Sequence, residues 1–310
     1  MGTPVAIAGL WWAALAAGNP AYDLAGRIHP PMPASVSLHG ATSPFSASTL
    51  SDAGGRFQFH RLLAGTYTVI VFVPGRGEMR RTIEVGPSLA DKRGRVEIAV
   101  EFASGDPASG ALVSARELAV PERAWQEYRR AGQKLERRDV AGAIAHLERA
   151  LEIAPHFVAA WNHLGTLAYQ TRQYPKAETY FRQALKHDPR AFEPLVNLGG
   201  VLLTLGKLEE ALQYNLYSVL SRPNDALANS QLGMTYFAVG SLELAHKYLE
   251  IAKRLDPAHF SHPQLTLAEI HLRSGKPEAA LAEFEDFLQR HPDSPDAPRI
   301  RALVAKLRTP

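Results

Sequence analysis

The 310-residue chain contains no cysteine. That excludes disulfides, thiolate catalysis and cysteine-based zinc sites, and it leaves the redox compartment open. An excess of either charge is also missing, since 34 Lys and Arg stand against 31 Asp and Glu. The densest basic run, Arg129-Arg130 to Arg137-Arg138, is interleaved with Glu127, Glu136 and Asp139. Such a run describes a solvated helix face, so no nucleic-acid partner is expected. Enzyme signatures are absent as well: there is no G-x-S-x-G elbow and no H-E-x-x-H. Gly199 to Leu208 superficially suggests a phosphate loop, but the spacing is wrong and Leu208 stands where a hydroxyl is required. Asp52 has no second acid nearby to make a calcium site. His259 and His262 lie at a joint without a carboxylate partner and do not make a metal site. No catalytic residue, metal or cofactor is assigned, and a non-enzymatic protein is expected.

Long apolar runs are scarce. The longest, Val5 to Ala17, is too short to span a bilayer comfortably, and no Lys or Arg precedes Arg27. It has the length of a signal-peptide core, with candidate cleavage sites among the small residues Ala14 to Gly18. Residues 1–21 are therefore expected to be a signal peptide or, if uncleaved, an N-terminal anchor with Trp11 and Trp12 at the membrane interface. Any membrane contact would come through this segment alone. Export (periplasmic, envelope-associated or secreted) is the expectation, and a cytoplasmic protein in which the segment folds is the alternative.

What is present is a repeat. Trp161, Leu164, Gly165, Ala168, Ala177, Phe181, Ala184 and Pro189 are followed 34 residues later by Leu195, Leu198, Gly199, Leu202, Ala211, Asn215, Ser218 and Pro223. A further step of 34 gives Asn229, Leu232, Gly233, Tyr236, Ala245, Leu249, Ala252 and Pro257. A fixed period of this size means a solenoid. Within each unit the apolar residues follow helical spacing on both sides of a short joint, and Gly206 and Gly240 mark helix ends at that joint. The unit is a helical hairpin, with small residues where its two helices approach closely. This pattern resembles the tetratricopeptide repeat, whose W-x2-L-G-x2-Y…A-x3-F…P signature lies on Trp161, Leu164, Gly165, Ala168, Ala177, Phe181 and Pro189. Residues 122–294 read as five such repeats. In the first, Tyr128, Ala131, Gly132 and Leu135 are matched to the first-helix pattern, which makes its joint one residue shorter than the others. The fifth carries one inserted residue before Ser261. Residues 295–310 read as a capping helix with Ile300, Leu303, Val304 and Leu307 on one side.

Residues 22–102 differ in kind. Short alternating segments at 35–38, 56–59, 66–73, 81–85 and 95–100 are separated by turn residues such as Asp52-Ala53-Gly54-Gly55 and Pro74-Gly75-Arg76-Gly77. They predict a small antiparallel β-sandwich with Phe57, Phe59, Tyr67 and Val69 facing inward and Asp52 tying its turn. The turn, aromatic and glycine spacing from Ser51 to Val69, with Gly26-Arg27-Ile28 as an opening strand, resembles the carboxypeptidase regulatory-like domain. That resemblance implies a seven-stranded prealbumin-like sandwich without catalytic activity. Residues 103–121, rich in Ala, Ser, Gly and Pro, read as a linker. The expected fold class is thus multidomain, a β-sandwich followed by an all-α superhelix.

The tetratricopeptide resemblance implies a protein or peptide partner, held in a concave groove lined by the first helix of each hairpin. Aligned units place Arg129, Asn162, Thr166, Tyr169, Glu193, Asn197, Ser230, Met234, Phe237 and Glu269 along that groove. Met234 and Phe237 would take apolar side chains while Asn162 and Asn197 bond backbone. Glu193 argues against a basic clamp for a terminal carboxylate. The expectation is a scaffold or adaptor of the bacterial cell envelope. One alternative is a glycan-binding sandwich coupled to a recruiting solenoid, for which Tyr22, Phe45 and Phe72 are the available aromatics. Another is a cytoplasmic chaperone-like adaptor.

Overall fold

The computed structural model describes residues 20–102 and 119–308. Residues 1–19 of the N-terminal apolar segment and residues 103–118 of the linker lie outside the described residues.

Seven strands come first: β1 (Tyr22–His29), β2 (Ser35–Gly40), β3 (Ser46–Leu50), β4 (Arg56–Leu62), β5 (Gly65–Val73), β6 (Gly77–Val85) and β7 (Arg95–Glu101). They form two sheets, ordered β4-β1-β7 and β3-β2-β5-β6. Alternation builds the core between them: Tyr67, Val69, Val71 and Val73 of β5 point inward with Phe57 and Phe59 of β4, all in one apolar cluster. Asp52 accepts both the Arg56 backbone N–H and its Nε–H at 2.9 Å, which closes the turn before β4. Two features depart from the expected sandwich. β1 and β7 run parallel, because five intervening strands carry the chain back to the starting end before β7 begins. Strand β3 lies outside the alternating segments read from the sequence, since Ser46, Ala47, Ser48 and Thr49 are too small to show an apolar alternation; the pairing places the Ser48 hydroxyl 3.0 Å from that of Ser37.

Eleven helices follow among the described residues. They pair as α1 (Glu122–Glu136) with α2 (Val140–Ile153), α3 (Val158–Gln170) with α4 (Tyr174–His187), and α5 (Phe192–Thr204) with α6 (Leu208–Ser221). Then come α7 (Ala226–Ala238) with α8 (Leu242–Leu255), α9 (Pro263–Arg273) with α10 (Pro277–Arg290), and a single α11 (Ala297–Arg308). Close approach within a pair demands a small residue. A Cβ on Gly165 would lie 2.4 Å from the Phe181 ring, and one on Gly199 would lie 1.9 Å from Asn215 Oδ1. Asn215 and Ser218, polar at positions where Phe and Ala are usual, are fully buried. Asn215 Nδ2 donates to the Thr235 hydroxyl of the next repeat (2.9 Å) while its buried Oδ1 has no partner, and Ser218 donates to the Tyr214 carbonyl (2.8 Å).

The joint inside each hairpin turns through the left-handed region. Gly206, Gly240 and Gly275 occupy it in repeats three to five, whereas Arg138 and Arg172 hold the same place in repeats one and two, both at φ 60°. Those two joints also share their hydrogen bonds. Arg138 N–H donates to Leu135 and Asp139 N–H to Lys134, just as Arg172 donates to Tyr169 and Gln173 to Ala168. The first joint is therefore not one residue short. Ala131, fully buried, is the counterpart of Gly165, and a Cβ on Gly132 would meet nothing. Arg129 consequently corresponds to His163 rather than to Asn162. In the fifth repeat the inserted residue is absorbed where His262 takes φ 51° immediately before α9. Helix α11 buries Ile300 and Val304 against α10.

Candidate partner-binding face

The residues assigned to the groove do not form one surface. Asn162 Oδ1 accepts from Asn197 Nδ2 at 3.0 Å, and the Thr166 hydroxyl donates to the Asn162 carbonyl at 3.0 Å, so repeats two and three share one polar strip. The Tyr169 hydroxyl lies 3.2 Å from that of Thr204 at the end of the strip. Further along, Arg273 lies over the Phe237 ring at 4.6 Å and donates to Glu269, while Met234 packs half-buried against the cluster of Ala245, Leu249 and Leu267. Ser230 is sealed, its hydroxyl 2.6 Å from that of Ser261. Arg129 is exposed and pairs with Glu122 of its own helix.

Glu193 faces the protein's own sandwich. Its Oε1 accepts from Arg80 of β6 (3.1 Å) and from Arg222 (3.2 Å). Burial works to raise the Glu193 carboxyl, but the two guanidiniums outweigh it and hold the pKa below the ordinary value. More such contacts cross from sandwich to solenoid. Thr82 N–H donates to Asp256 Oδ2 (3.0 Å), Glu84 meets His291 Nδ1 (3.2 Å), and Ser88 donates through both its N–H and its hydroxyl to Asp293. Gln170 donates to the Gly40 carbonyl, and Arg138 lies 5.2 Å over the Phe45 ring. Sequence reasoning missed this interface, because the sandwich residues involved lie on the outward, polar side of the sheet and look like ordinary surface.

The register explains which side docks. Opposite residues across β2, β5 and β6 share a face, which places His39, Thr68 and Thr82 in one row and Ser37, Ile70 and Arg80 in the next. This outward face of the four-stranded sheet, with the free edge of β6, lies against the first helices and the joints between repeats. His39 sits near His163 of α3. Burial, and for His39 also the Arg80 charge, depresses both imidazoles to about 4. A second histidine group lies at the C-terminal end: burial and the neighbouring His262 and His291 depress His259 to about 3, and burial with His291 depresses His262 to about 4. A cleft of about 490 Å³ remains between β6 and the joints of repeats three to five, lined by Met79, Arg80, Arg222, Asp225, Leu227 and Phe260 among others. Apolar surface stays open near the C-terminal ends of α3 and α9. Tyr169 is 39% and Leu272 41% exposed. Among the described residues no group of three or more His, Asp or Glu could hold a metal.

Models of the tetratricopeptide repeat match residues 134–181, 164–226 and 261–305. The helical part of the chain is a tetratricopeptide-repeat solenoid. Anaphase-promoting complex subunit 7 of Arabidopsis thaliana is 29% identical over 161 residues, covering 51% of this chain and 28% of that protein. Cellulose synthase 1 operon protein C of Komagataeibacter xylinus is 29% identical over 129 residues, covering 38% of this chain and 10% of that protein. The chain thus spans well under two thirds of these curated relatives. Among solved structures, the type IV pilus biogenesis factor PilW superposes with TM-score 0.54 at 24% identity, covering 60% of this chain and 86% of that one. PilF of Pseudomonas aeruginosa gives 0.52 at 23% over 60% and 84%. These two likenesses concern the fold of the tetratricopeptide repeats.

Proposed function

We propose that the protein is a non-enzymatic scaffold of a bacterial cell envelope, whose tetratricopeptide repeats hold a segment of a protein partner on the open part of the concave face. The tetratricopeptide solenoid supports the scaffold reading: its hairpins present side chains from successive first helices to one side. The open strip has the chemistry of a peptide groove. Tyr169 and Leu272 offer apolar surface, Phe237 lies half-buried under Arg273, and Asn162 and Asn197 offer amide groups for backbone. The exported N-terminus expected from Val5 to Ala17, and a relative named for a cellulose synthase operon, support the envelope. No helix among the described residues is long and apolar enough to cross a membrane. The glycan reading loses two of its three aromatics, because Tyr22 and Phe45 lie in the sandwich core.

The test is a crosslinking pull-down from native envelope extract with the wild type and a Met234→Arg/Phe237→Glu variant of equal helicity. Loss of a captured protein with the variant supports the groove. Identical capture moves the partner site elsewhere on the molecule.

A further inference from the structure

Strand β6 and the solenoid are in register with one another. Every second residue of β6 points outward, and these residues meet successive repeats in order. Arg80 meets Glu193 and through it Arg222, Thr82 meets Asp256, and Glu84 meets His291. Arg222, Asp256 and His291 are the residues that end the second helices of repeats three, four and five. They are one structural position repeated, spaced by 34 residues and then by 35 after the inserted residue. Two residues of strand advance about 6.7 Å, so the joints on the inner edge of the superhelix keep pace with an extended chain. Asp293 then takes the backbone N–H and hydroxyl of Ser88 just beyond the strand. A Cβ on Gly86 would lie 2.4 Å from the Asp293 carboxylate, so the chain also closes tightly there.

The chemistry of the row is specific. Glu193, Asp256 and Asp293 accept from a guanidinium and from main-chain N–H groups, the donors that an extended segment with one arginine carries, and His291 meets a carboxylate four residues further along. β6 is an edge strand, with β5 as its single sheet neighbour, so its outward N–H groups are free to be read in this way.

We propose that the joints of repeats three to five form a strand-reading surface, filled in this chain by its own residues 80–88, and that an extended segment of a partner protein with an arginine at the place of Arg80 occupies the same surface by displacing β6. This surface is separate from the open strip around Phe237. The sandwich is then a resident competitor, tethered by the linker, which raises the threshold for a partner in trans.

The lack of cysteine makes the test direct. Thr82 is 3% exposed on an outward face and is covered by the solenoid. In the full chain a Thr82→Cys thiol reports undocking by its rate of alkylation. Glu193→Lys with Asp293→Lys is expected to speed alkylation at least tenfold at unchanged circular dichroism. Adding Arg80→Glu to Glu193→Lys should restore slow labelling by reversing the pair. A synthetic peptide of residues 77–89 should speed labelling with increasing concentration, while the same peptide with Arg80 and Arg81 replaced by Glu should not. Labelling that is fast without any of these changes, or indifferent to the charge changes, overturns the docking role of the row. Labelling that responds to the charges but not to the peptide overturns displacement by a strand. Phe237→Glu should leave every one of these rates unchanged, so failure here and failure of the open groove are read separately.

Discussion

The two halves of the molecule bury apolar surface in different ways. In the sandwich one cluster of buried side chains runs from Tyr22 to Phe102 through all seven strands. In the solenoid the buried residues divide into five clusters, each spanning neighbouring helices. A single cluster makes each strand depend on every other. A chain of small clusters makes each hairpin depend mainly on its neighbours, which is the energetics of a one-dimensional array. The sandwich is therefore suited to act as a rigid body, and the solenoid to yield locally where something binds.

The largest expected effect breaks this contrast directly. Phe57→Ala and Phe181→Ala each remove a buried ring, 3% and 1% exposed, and each should cost about 3–5 kcal/mol. Their reach should differ. Hydrogen exchange should speed across all seven strands in Phe57→Ala, but only from α3 to α6 in Phe181→Ala. Equal spread of the loss in both halves would show that the cluster division has no energetic meaning.

Acid should act next, and mainly at the seam. Burial, with His262 and His291 nearby, depresses His259 from 6.5 to about 3. A depressed folded pKa in a histidine means that the neutral form is favoured by the fold. Its contribution is present above the unfolded value of 6.5 and is lost as the pH falls toward the folded one. Between pH 6.5 and 4 the loss from His259 alone is on the order of 3 kcal/mol. His39, His163 and His262 add in the same direction. Glu193 is depressed instead, so its contribution is also lost on acidification, in a lower range. Denaturant unfolding followed from pH 7 to pH 4 should show this fall. A His259→Phe variant should show a shallower slope, and an unchanged slope would remove His259 from the account.

Repeat architecture was legible because it is periodic: Trp161, Leu164, Gly165 and their copies at 34-residue steps repeat one contact scheme, and one alignment yields every hairpin. The sandwich was legible wherever large apolar residues alternate, as in β5, and illegible at β3, where serines and alanine carry no period. The first repeat is out of register in the sequence because both Ala131 and Gly132 are small enough for the close-approach position; the joint hydrogen bonds and the burial of Ala131 distinguish them. The seam was illegible for a different reason. Arg80, Thr82 and Glu84 obey the rule that polar residues point away from the core, and the sequence carries no mark that a second domain awaits them there.

A middle-sized effect tests the tight packing within one repeat. Gly199→Ala places a methyl against Asn215 Oδ1, and Asn215 is held by Thr235, so overpacking should cost about 1–3 kcal/mol. Adding Asn215→Ala should recover most of it. Failure to recover would place the strain in the backbone of α5 and not at this side chain.

The smallest effect sharpens the comparison at the two arginines in left-handed joints. Repeats three to five use Gly206, Gly240 and Gly275 at this position, where a Cβ costs about 1 kcal/mol. Arg172 is exposed, so Arg172→Gly should stabilise the solenoid by up to about 1 kcal/mol in thermal unfolding. Arg138 has the same backbone, φ 60°, but its guanidinium lies over Phe45 of the sandwich. Arg138→Gly relieves the same strain and removes the cation–π contact, itself worth about 0.5–1 kcal/mol at a partly exposed site. The two should nearly cancel in overall stability while the sandwich docks less firmly. A gain at Arg138 as large as that at Arg172 would mean that the first joint contributes nothing to holding the sandwich, and that the seam rests on Gln170 and on the row from Glu193 to Asp293.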